Sequence, residues 1–228
     1  MIIPVFNEAA NLSQTLASIQ PQQAIEIIVV DGGSNDDTVE IARSLGVKVL
    51  HSTRGRAVQM NAGALSATSE ILLFLHADTR LPVNFDTMIR QSLNTTDCRR
   101  PIAGAFAIKI DASLPSLRLN WRSRWLQMPY GDQAIFVWSS VFHKMGGFPD
   151  FPIMEDLALM WRLKHLGKIA IVATPVVTSA RRWLRLGVWQ TTMINQLAIF
   201  AYFLGIPPQQ IAQWYHRKSS DDINLHLR

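Results

Sequence analysis

The 228-residue chain contains a single cysteine, Cys98. An intrachain disulfide is therefore excluded, and a zinc site built on cysteines is not expected. Charged residues are also scarce: they make up 17% of the chain, against roughly 25% in an average soluble domain. Hydrophobic residues reach 48%. This composition excludes intrinsic disorder and predicts one globular domain with extensions.

Long apolar runs and targeting signals are missing as well. The opening stretch MIIPVF is too short for a signal peptide. The purely apolar segment Leu197–Ile206 has about half the length of a membrane-spanning helix. We therefore expect a cytoplasmic protein that does not span a membrane, with the inner face of the membrane as a place where it can act.

Acidic residues are unevenly distributed. Residues 1–98 hold 6 Lys/Arg and 10 Asp/Glu, whereas residues 99–228 hold 16 and 7. The second half is therefore strongly basic. It carries no helix-turn-helix, RNP or zinc-finger pattern, so nucleic acid is not expected as a partner. Anionic lipid or a phosphorylated ligand is favoured instead.

Four nucleotide and hydrolase motifs do not occur: G-x-G-x-x-G, the P-loop, H-E-x-x-H and G-x-S-x-G. Dinucleotide-binding Rossmann proteins, P-loop enzymes, zinc proteases and nucleophile-elbow hydrolases therefore lose support.

Short β-branched runs alternate with helical patterns instead, which is typical of parallel strands joined by crossover helices. The predicted strands are Ile2–Phe6, Ile25–Val30, Val47–Ser52, Ile71–His76, Ile102–Ile110 and Ile169–Val177. Helices are predicted after a cap at Asn7, from near Ser34 to Gly46, and over Arg56–Ala67, Asn84–Leu93, Met154–Leu166, Leu186–Leu204 and Pro208–His216. Leu114–Met128 fits either a helix or a flexible cover. The polar break over residues 94–100 is the clearest internal boundary.

Polar residues follow each of the first four predicted strands, as NE (7–8), DGGSNDDT (31–38), TRGR (53–56) and HADT (76–79). In a doubly wound sheet, ligands bind at the carboxyl ends of the strands. Carboxylates, arginines and small residues gathered there favour a phosphate-bearing ligand.

Five blocks resemble family 2 glycosyltransferases of GT-A fold: IIPVFNEAANL (2–12), VVDGGSNDDT (29–38), NAGA (61–64), LFLHAD (73–78) and MEDLALMWRLKHLG (154–167). The resemblance implies an α/β protein with a Rossmann-like, mostly parallel sheet flanked by helices. It divides the chain into a GT-A domain, 1–183, with a nucleotide-binding half, 1–98, and an acceptor half, 99–183. Residues 184–228 then form a C-terminal helical extension packed on the same domain. GRAVQMNAGA (55–64), HADT and SARRW (179–183) are most similar to the radical-SAM/selenodomain-associated, arsenosugar-type subgroup.

The resemblance also implies an activity: transfer of a sugar, with inversion, from a nucleoside diphosphate sugar (UDP- or GDP-linked) to a hydroxyl acceptor. A divalent cation, Mg²⁺ or Mn²⁺, assists. The residues that match donor-binding positions are Pro4, Asn7, Glu8, Asp31, Arg54, Arg56, Asn61, Asp78 and Arg182.

Several of these positions also have a plain structural interpretation. Asp31 can bind the nucleobase or hold an Asx turn, and the nucleobase role is favoured. Asp36 and Asp37 are expected to favour the dipole of a helix in its first turn. Arg54 and Arg56 fit phosphate binding or solvated loops equally well.

The metal position departs from the family pattern. Family members usually carry Asp-x-Asp, and this chain has His76-Ala77-Asp78. Asp78 matches the metal-binding carboxylate, and one carboxylate with diphosphate oxygens can hold Mg²⁺. His76 either binds the metal, which would favour Mn²⁺, or caps the strand end.

The acid pair Glu155-Asp156 matches the catalytic position of the family, with Asp156 as general base and Glu155 in support. Asp132, Gln133 and Trp183 match the acceptor side. Ser179 stands where processive relatives carry glutamine. This difference disfavours polymer synthesis.

Two other function classes remain open. A nucleotidyltransferase would share the sheet and the metal, and a non-catalytic nucleotide-sugar-binding or membrane-peripheral module would fit the altered metal motif. The aromatic residues of 183–216 favour a core role over contact with an anionic membrane, and a homodimer contact is a third interpretation. Those aromatic residues are Trp183, Trp189, Tyr202, Trp214 and Tyr215.

Overall fold

The computed structural model describes residues 1–19, 25–95, 100–111, 129, 131–181 and 187–215. Its strands are β1 (Ile2–Val5), β2 (Ile28–Asp31), β3 (Lys48–His51), β4 (Ile71–Phe74), β5 (Thr79–Arg80), β6 (Ala103–Asp111), β7 (Ile135–Trp138) and β8 (Ile169–Ser179). Its helices are α1 (Ala9–Ala17), α2 (Thr38–Ser44), α3 (Arg56–Ser66), α4 (Phe85–Leu93), α5 (Ser139–Lys144), α6 (Glu155–Leu166) and α7 (Val188–Phe203). Gly131–Gln133 forms a 3₁₀ turn, and residues 208–215 are helical as well.

The described strands form one eight-stranded sheet in the order β3-β2-β1-β4-β7-β6-β8-β5. β1 pairs in parallel with β2 and β4, β2 with β3, and β6 with β8. β7 runs antiparallel to both β4 and β6, and β5 runs antiparallel to β8. The predicted α/β class is confirmed, and the sheet is mixed because β7 joins its two parallel parts.

Central strands are buried on both faces, as their unbroken apolar runs predict. All four residues of β1 and of β2 are buried. β3 departs from this expectation, since its first and last residues are exposed. The reason is its place at the edge of the sheet, where β2 covers only one side.

The starts of the first two helices were predicted too early. Asn7 does not cap α1: it has a left-handed φ of 55°, and Glu8 occupies the cap position. α2 begins at Thr38 rather than near Ser34, so Asp36 and Asp37 precede the helix. The local sequence pattern predicts caps wrongly here, because the polar side chains of each loop bond to the backbone of the other loop.

Three short elements were not predicted, namely β5, β7 and α5. Each has six residues or fewer and contributes little periodicity to the sequence. Leu114–Met128 lies outside the described residues.

Two large apolar clusters cover the two faces of the sheet, one around Phe106 and Phe136 and the other around Phe74 and Phe142. A third cluster joins the C-terminal helices to the start of α6. Its buried members are Met154, Leu157, Ala198, Ala201 and Ile211. The inner side of α7 therefore packs directly beside the acid pair at 155–156.

No helix among the described residues is both long and apolar enough to cross a membrane.

Gly104→Ala is expected to lower the free energy of unfolding by about 1–3 kcal/mol through overpacking in β6. A Cβ at this position would lie 2.7 Å from the carbonyl oxygen of Ala170 and against the ring of Phe136. Urea denaturation measures the loss. Lys109→Ala, at an exposed position of the same strand, is the control and should stay within about 0.5 kcal/mol of wild type. Equal stability of the two variants would contradict this packing.

Candidate functional site

The loops after β1 and β2 are tied together by bonds between side chains and backbone. Ser34 Oγ accepts from Asn7 N at 2.9 Å, and Asn7 Oδ1 accepts from Asn35 N at 2.9 Å. Thr38 Oγ1 accepts from Glu8 N at 2.8 Å. Asp36 Oδ2 accepts from Ala9 N at 3.2 Å and so satisfies a free amide at the start of α1. Because of these bonds the carboxyl ends of both strands form one rigid edge.

Asp31 lies at the end of β2 and is 2% exposed. Its carboxylate accepts from Gly33 N at 3.0 Å and from Ser34 N at 3.1 Å, and its Oδ2 lies 3.4 Å from His51 Nδ1. Burial raises the pKa of Asp31, but the bonds from Ser34 and Gly33 and the contact with His51 outweigh it, so the pKa lies below its usual value. The Asx-turn geometry is therefore present, and base binding stays a prediction.

A cleft of about 550 Å³ opens beside Asp31. Its walls include Ser34, Asp36, Arg43 and His51. Arg43 Nη2 lies 3.4 Å from His51 Nε2. Since arginine only donates, Nε2 accepts, and the proton of a neutral imidazole then sits on Nδ1, facing Asp31.

Arg54 lies on the same edge of the sheet. Its guanidinium carbon is 3.9 Å from the centroid of the Phe6 ring, a cation–π arrangement. Pro4 is buried in β1 opposite Val30 and contributes backbone only.

Arg181 joins two carboxylates that are far apart in the sequence. Its Nη2 donates to Glu8 Oε2 at 3.0 Å and to Asp78 Oδ2 at 3.2 Å. Burial lowers the pKa of Arg181, but the charges of Glu8 and Asp78 outweigh this effect and raise it. A smaller pocket of about 180 Å³ lies against Asp78 and Arg181.

Asp156 and His76 converge on Gly131. A Cβ at Gly131 would lie 3.1 Å from Asp156 Oδ2 and 3.2 Å from His76 Nε2, so glycine leaves room for both. Asp156 Oδ2 accepts from Gly131 N at 2.6 Å and Oδ1 from Leu157 N at 2.7 Å. Burial and the charge of Arg56 lower the pKa of His76 to about 4, so its imidazole is neutral at pH 7.

Glu155, next to Asp156, points to a different partner. It is 4% exposed, and its Oε1 lies 3.5 Å from Arg56 Nη1. Burial and the charge of Asp156 raise the pKa of Glu155. Burial lowers the pKa of Arg56, but Glu155 and Asp156 outweigh it and hold that pKa above its usual value. The two acids of the pair therefore have separate partners.

Three further predicted site residues occupy different settings. Asp132 is partly buried near the charge of Arg56. Gln133 is fully buried and donates to the Phe106 carbonyl at 2.8 Å, so it offers no surface to an acceptor. Asn61 clamps the backbone of Phe148 with two hydrogen bonds of 2.9 and 3.0 Å. Arg182 and Trp183 lie outside the described residues.

The donor set for a metal is small. Among the described residues no group of three or more His, Cys, Asp or Glu side chains could hold an ion. Asp78 is 27% exposed at its side chain, and His76 has a neutral nitrogen at the same strand end. These two donors fit a divalent cation whose remaining ligands come from a diphosphate.

Sequence reasoning did not assign Arg181 or Gln59 to the site. The motif favours Arg182, which lies outside the described residues, so its assignment stays a prediction. Gln59 is buried and donates to the carbonyls of Val5 and Val30 at 2.8 Å each, which ties the ends of β1 and β2 to α3. Its place within the motif at 55–64 was the available signal.

The mixed α/β sheet flanked by helices is the architecture of the GT-A class of folds. The chain belongs to glycosyl transferase family 2, whose sequence pattern matches residues 1–148.

Similar proteins carry glycosyltransferase names. A 4,4'-diaponeurosporenoate glycosyltransferase of Staphylococcus haemolyticus is 39% identical over 90 residues, which cover 36% of this chain and 24% of that protein. Glycosyltransferase AglE of Haloferax volcanii is 35% identical over 34% of this chain and 29% of its own length. An uncharacterized glycosyltransferase of Mycobacterium bovis is 27% identical over 73% of this chain and 82% of its own. The first two matches thus span less than a third of those relatives.

Solved structures share the fold. Staphylococcus aureus TarS 1–349 in complex with UDP superposes with a TM-score of 0.63 at 17% identity, covering 78% of this chain and 59% of the 1–349 fragment. A Pyrobaculum calidifontis mannosyltransferase with GDP-Man and Mn²⁺ gives 0.58 at 20% identity, over 78% and 55%. Glucosyl-3-phosphoglycerate synthase of Mycobacterium tuberculosis, with Mn²⁺, UDP and phosphoglyceric acid, gives 0.61 at 17%, over 90% and 78%.

Asp31→Asn is expected to lower the free energy of unfolding at pH 7 by about 1–3 kcal/mol, because an amide cannot accept all the bonds of the carboxylate. Since folding lowers the Asp31 pKa, the carboxylate stabilises the protein above its unfolded pKa of about 3.9. That contribution is lost as the pH falls through the folded pKa. Urea titrations at several pH values should show the difference from wild type shrinking below about pH 4.

The control for this experiment is Asp37→Asn. Asp37 is exposed and makes no side-chain cap bond to α2. A stability difference for Asp31→Asn that does not depend on pH would contradict the role given to the carboxylate.

Proposed function

We propose that the chain is an inverting glycosyltransferase that moves a sugar from a UDP- or GDP-linked donor to a hydroxyl acceptor. One observation carries the proposal: His76, Asp78 and Asp156 converge at one edge of the sheet. His76 and Asp78 follow β4, whereas Asp156 lies in α6, far away in the sequence. Family membership supports it.

The donor is proposed to lie along the ends of β1, β2 and β4. Asp31 accepts an N–H of the base, and Phe6 with Arg54 offers a flat, cationic surface beside it. The diphosphate then lies near Asp78 and Arg181. Arg181 can exchange its bonds to Glu8 and Asp78 for phosphate oxygens and offset the charge of the leaving group.

Chemistry at the acceptor side is assigned to Asp156. The acceptor O–H gives its proton to a carboxylate oxygen of Asp156 while its oxygen forms a bond to the anomeric carbon. The bond from that carbon to the diphosphate breaks on the opposite face, and the nucleoside diphosphate leaves. Gly131 N and Leu157 N fix the orientation of the carboxylate. Glu155 holds Arg56 beside it.

Asp78 and His76 are the residues proposed to hold Mg²⁺ or Mn²⁺, and His76 as a ligand favours Mn²⁺. A bound cation would position the diphosphate and stabilise its departing charge. The Mn²⁺ in two of the structural neighbours supports this choice.

The finer assignments belong to the same proposal. Similarity over residues 55–64, 76–79 and 179–183 supports the radical-SAM/selenodomain-associated subgroup. We place the enzyme in the cytoplasm, at the inner face of the membrane, and assign the donor and acceptor halves to residues 1–98 and 99–183.

A non-catalytic nucleotide-sugar-binding module is the second candidate. It is favoured by the altered metal motif, His76-Ala77-Asp78 in place of Asp-x-Asp. A turnover assay distinguishes the two candidates. A non-catalytic module would bind the nucleotide sugar without cleaving it, so no free nucleoside diphosphate would form.

Asp78→Ala and Asp156→Asn should fail differently. Asp78→Ala is expected to weaken metal-dependent donor binding and turnover together. Asp156→Asn is nearly isosteric and cannot take the proton. It should therefore leave donor affinity near wild type and lower kcat by about 10²–10⁴-fold. Calorimetry and a released-nucleotide assay measure the two quantities, with Asp150→Asn as a control. Equal losses of affinity and rate in Asp156→Asn would move that residue to the metal site.

Nucleotide screening identifies the base. UDP or GDP, added with Mn²⁺, should raise the melting temperature, because a ligand bound only to the native state stabilises it. ADP and CDP serve as comparison nucleotides, and Asp78→Ala should reduce the Mn²⁺-dependent part of the shift. If no nucleoside diphosphate raises the melting temperature, the donor site assigned to Asp31 and Asp78 is wrong.

A further inference from the structure

α7 exposes large apolar side chains along one face. They recur at spacings of three and four residues, so they stand above one another on the helix. Trp189 is 80% exposed and Phe200 is 63% exposed. The members of this surface, called here the α7 outer face, are Trp189, Met193, Leu197, Phe200 and Leu204. Such a contiguous exposed apolar surface marks an interaction site.

The opposite face of α7 is already occupied. Ile194, Ala198 and Ala201 are buried, and the two alanines pack against Met154 and Leu157 of the third cluster. The core contacts of α7 are therefore made by the face opposite the α7 outer face. It is extended on α6 by Trp161, which is partly exposed and meets the ring of Phe203 edge-on at 5.1 Å.

The charge of this region points to an anionic partner. Residues 157–220 contain eight Lys/Arg and no Asp/Glu. Arg162 and Lys164 lie on α6 beside Trp161, Arg185 precedes α7 in sequence, and Arg217 and Lys218 follow the last described helix in sequence. Membrane binding by an exposed apolar surface strengthens when nearby basic residues add electrostatic attraction to anionic lipids.

We propose that the α7 outer face docks on an anionic lipid bilayer, with α7 lying parallel to the surface. The helix has 16 residues, so at about 1.5 Å per residue it is too short to span. A second copy of this chain is a poorer occupant: a two-fold contact through this face would bring two segments of the same strong positive charge together.

Docking would bring the acid pair close to the lipid. Asp156 lies between Met154 and Leu157, which contact the inner side of α7. The distance from Asp156 to the bilayer is then of the order of one helix diameter, about 10 Å. This consequence rests on the proposed function: the acceptor hydroxyl would belong to a lipid-anchored molecule.

Vesicle co-sedimentation of the full chain tests the docking. Phosphatidylcholine vesicles with about 30% phosphatidylglycerol, a composition chosen for its negative surface potential, should pellet the wild type. Pure phosphatidylcholine should pellet little, and high salt should weaken the anionic binding. Trp189→Ser with Phe200→Ser is expected to reduce the partition coefficient at least about tenfold. Circular dichroism and the UDP or GDP thermal shift confirm that the variant is folded.

Leu65→Ser with Val83→Ser is the matched control, because both side chains are large, apolar and more than half exposed away from α7. Its partition should stay within about twofold of wild type. Equal binding to neutral and anionic vesicles, or an equal loss in both double variants, would overturn the proposal. So would a lipid-free dimer in sedimentation equilibrium that the Trp189/Phe200 substitutions abolish.

Asp78→Ala separates this proposal from the enzymatic one. The variant should bind anionic vesicles like wild type even where it no longer responds to nucleotide and Mn²⁺. A failure of vesicle binding with intact nucleotide binding overturns the docking alone, and the reverse result overturns the donor site alone.

Discussion

The bonds between the loops at residues 6–9 and 34–38 are the constraint on which the rest of the site depends. They replace the helix caps that the sequence pattern predicts and use the same side chains to lock two loops together. A free amide at the start of α1 is satisfied from the neighbouring loop, so neither loop can move alone. Glu8 and Asp31 are held as parts of one edge, which allows a single extended ligand to contact both.

Charges at that edge are paired over long sequence separations. Arg181 pairs with both Glu8 and Asp78 and offsets part of their charge, and Arg56 pairs with Glu155. A partly buried carboxylate without a cation would be costly, so these pairs keep the site charged and folded before any ligand binds. A diphosphate would bring new negative charge, and Arg181, more than half exposed at its side chain, is the cation that can turn toward it at little cost.

The elements that sequence reasoning predicted correctly are those with a local signal. Buried strands such as β1 and β2 and the acid pair at the start of α6 are visible as runs, spacings and helix-dipole preferences. The features that sequence reasoning did not predict depend on tertiary contacts. Asn7 bonds to Asn35 instead of capping its own helix, and the amide of Gln133 donates to the buried carbonyl of Phe106. The contacts of Arg181 could not be predicted either, because its partners lie 173 and 103 residues away.

The aromatic and apolar residues of α7 show why composition alone left two interpretations open. A helix that is apolar all round is usually buried. One face of α7 is buried: its small residues Ala198 and Ala201 allow close approach to Met154 and Leu157. The large residues Trp189 and Phe200 lie on the other side, exposed. The small inward side chains of α7 contact the segment that holds Asp156. The large outward side chains are available for the proposed contact with an external apolar surface. The position of Asp156, the proposed general base, is thereby coupled to whatever covers α7, through packing that tolerates little displacement.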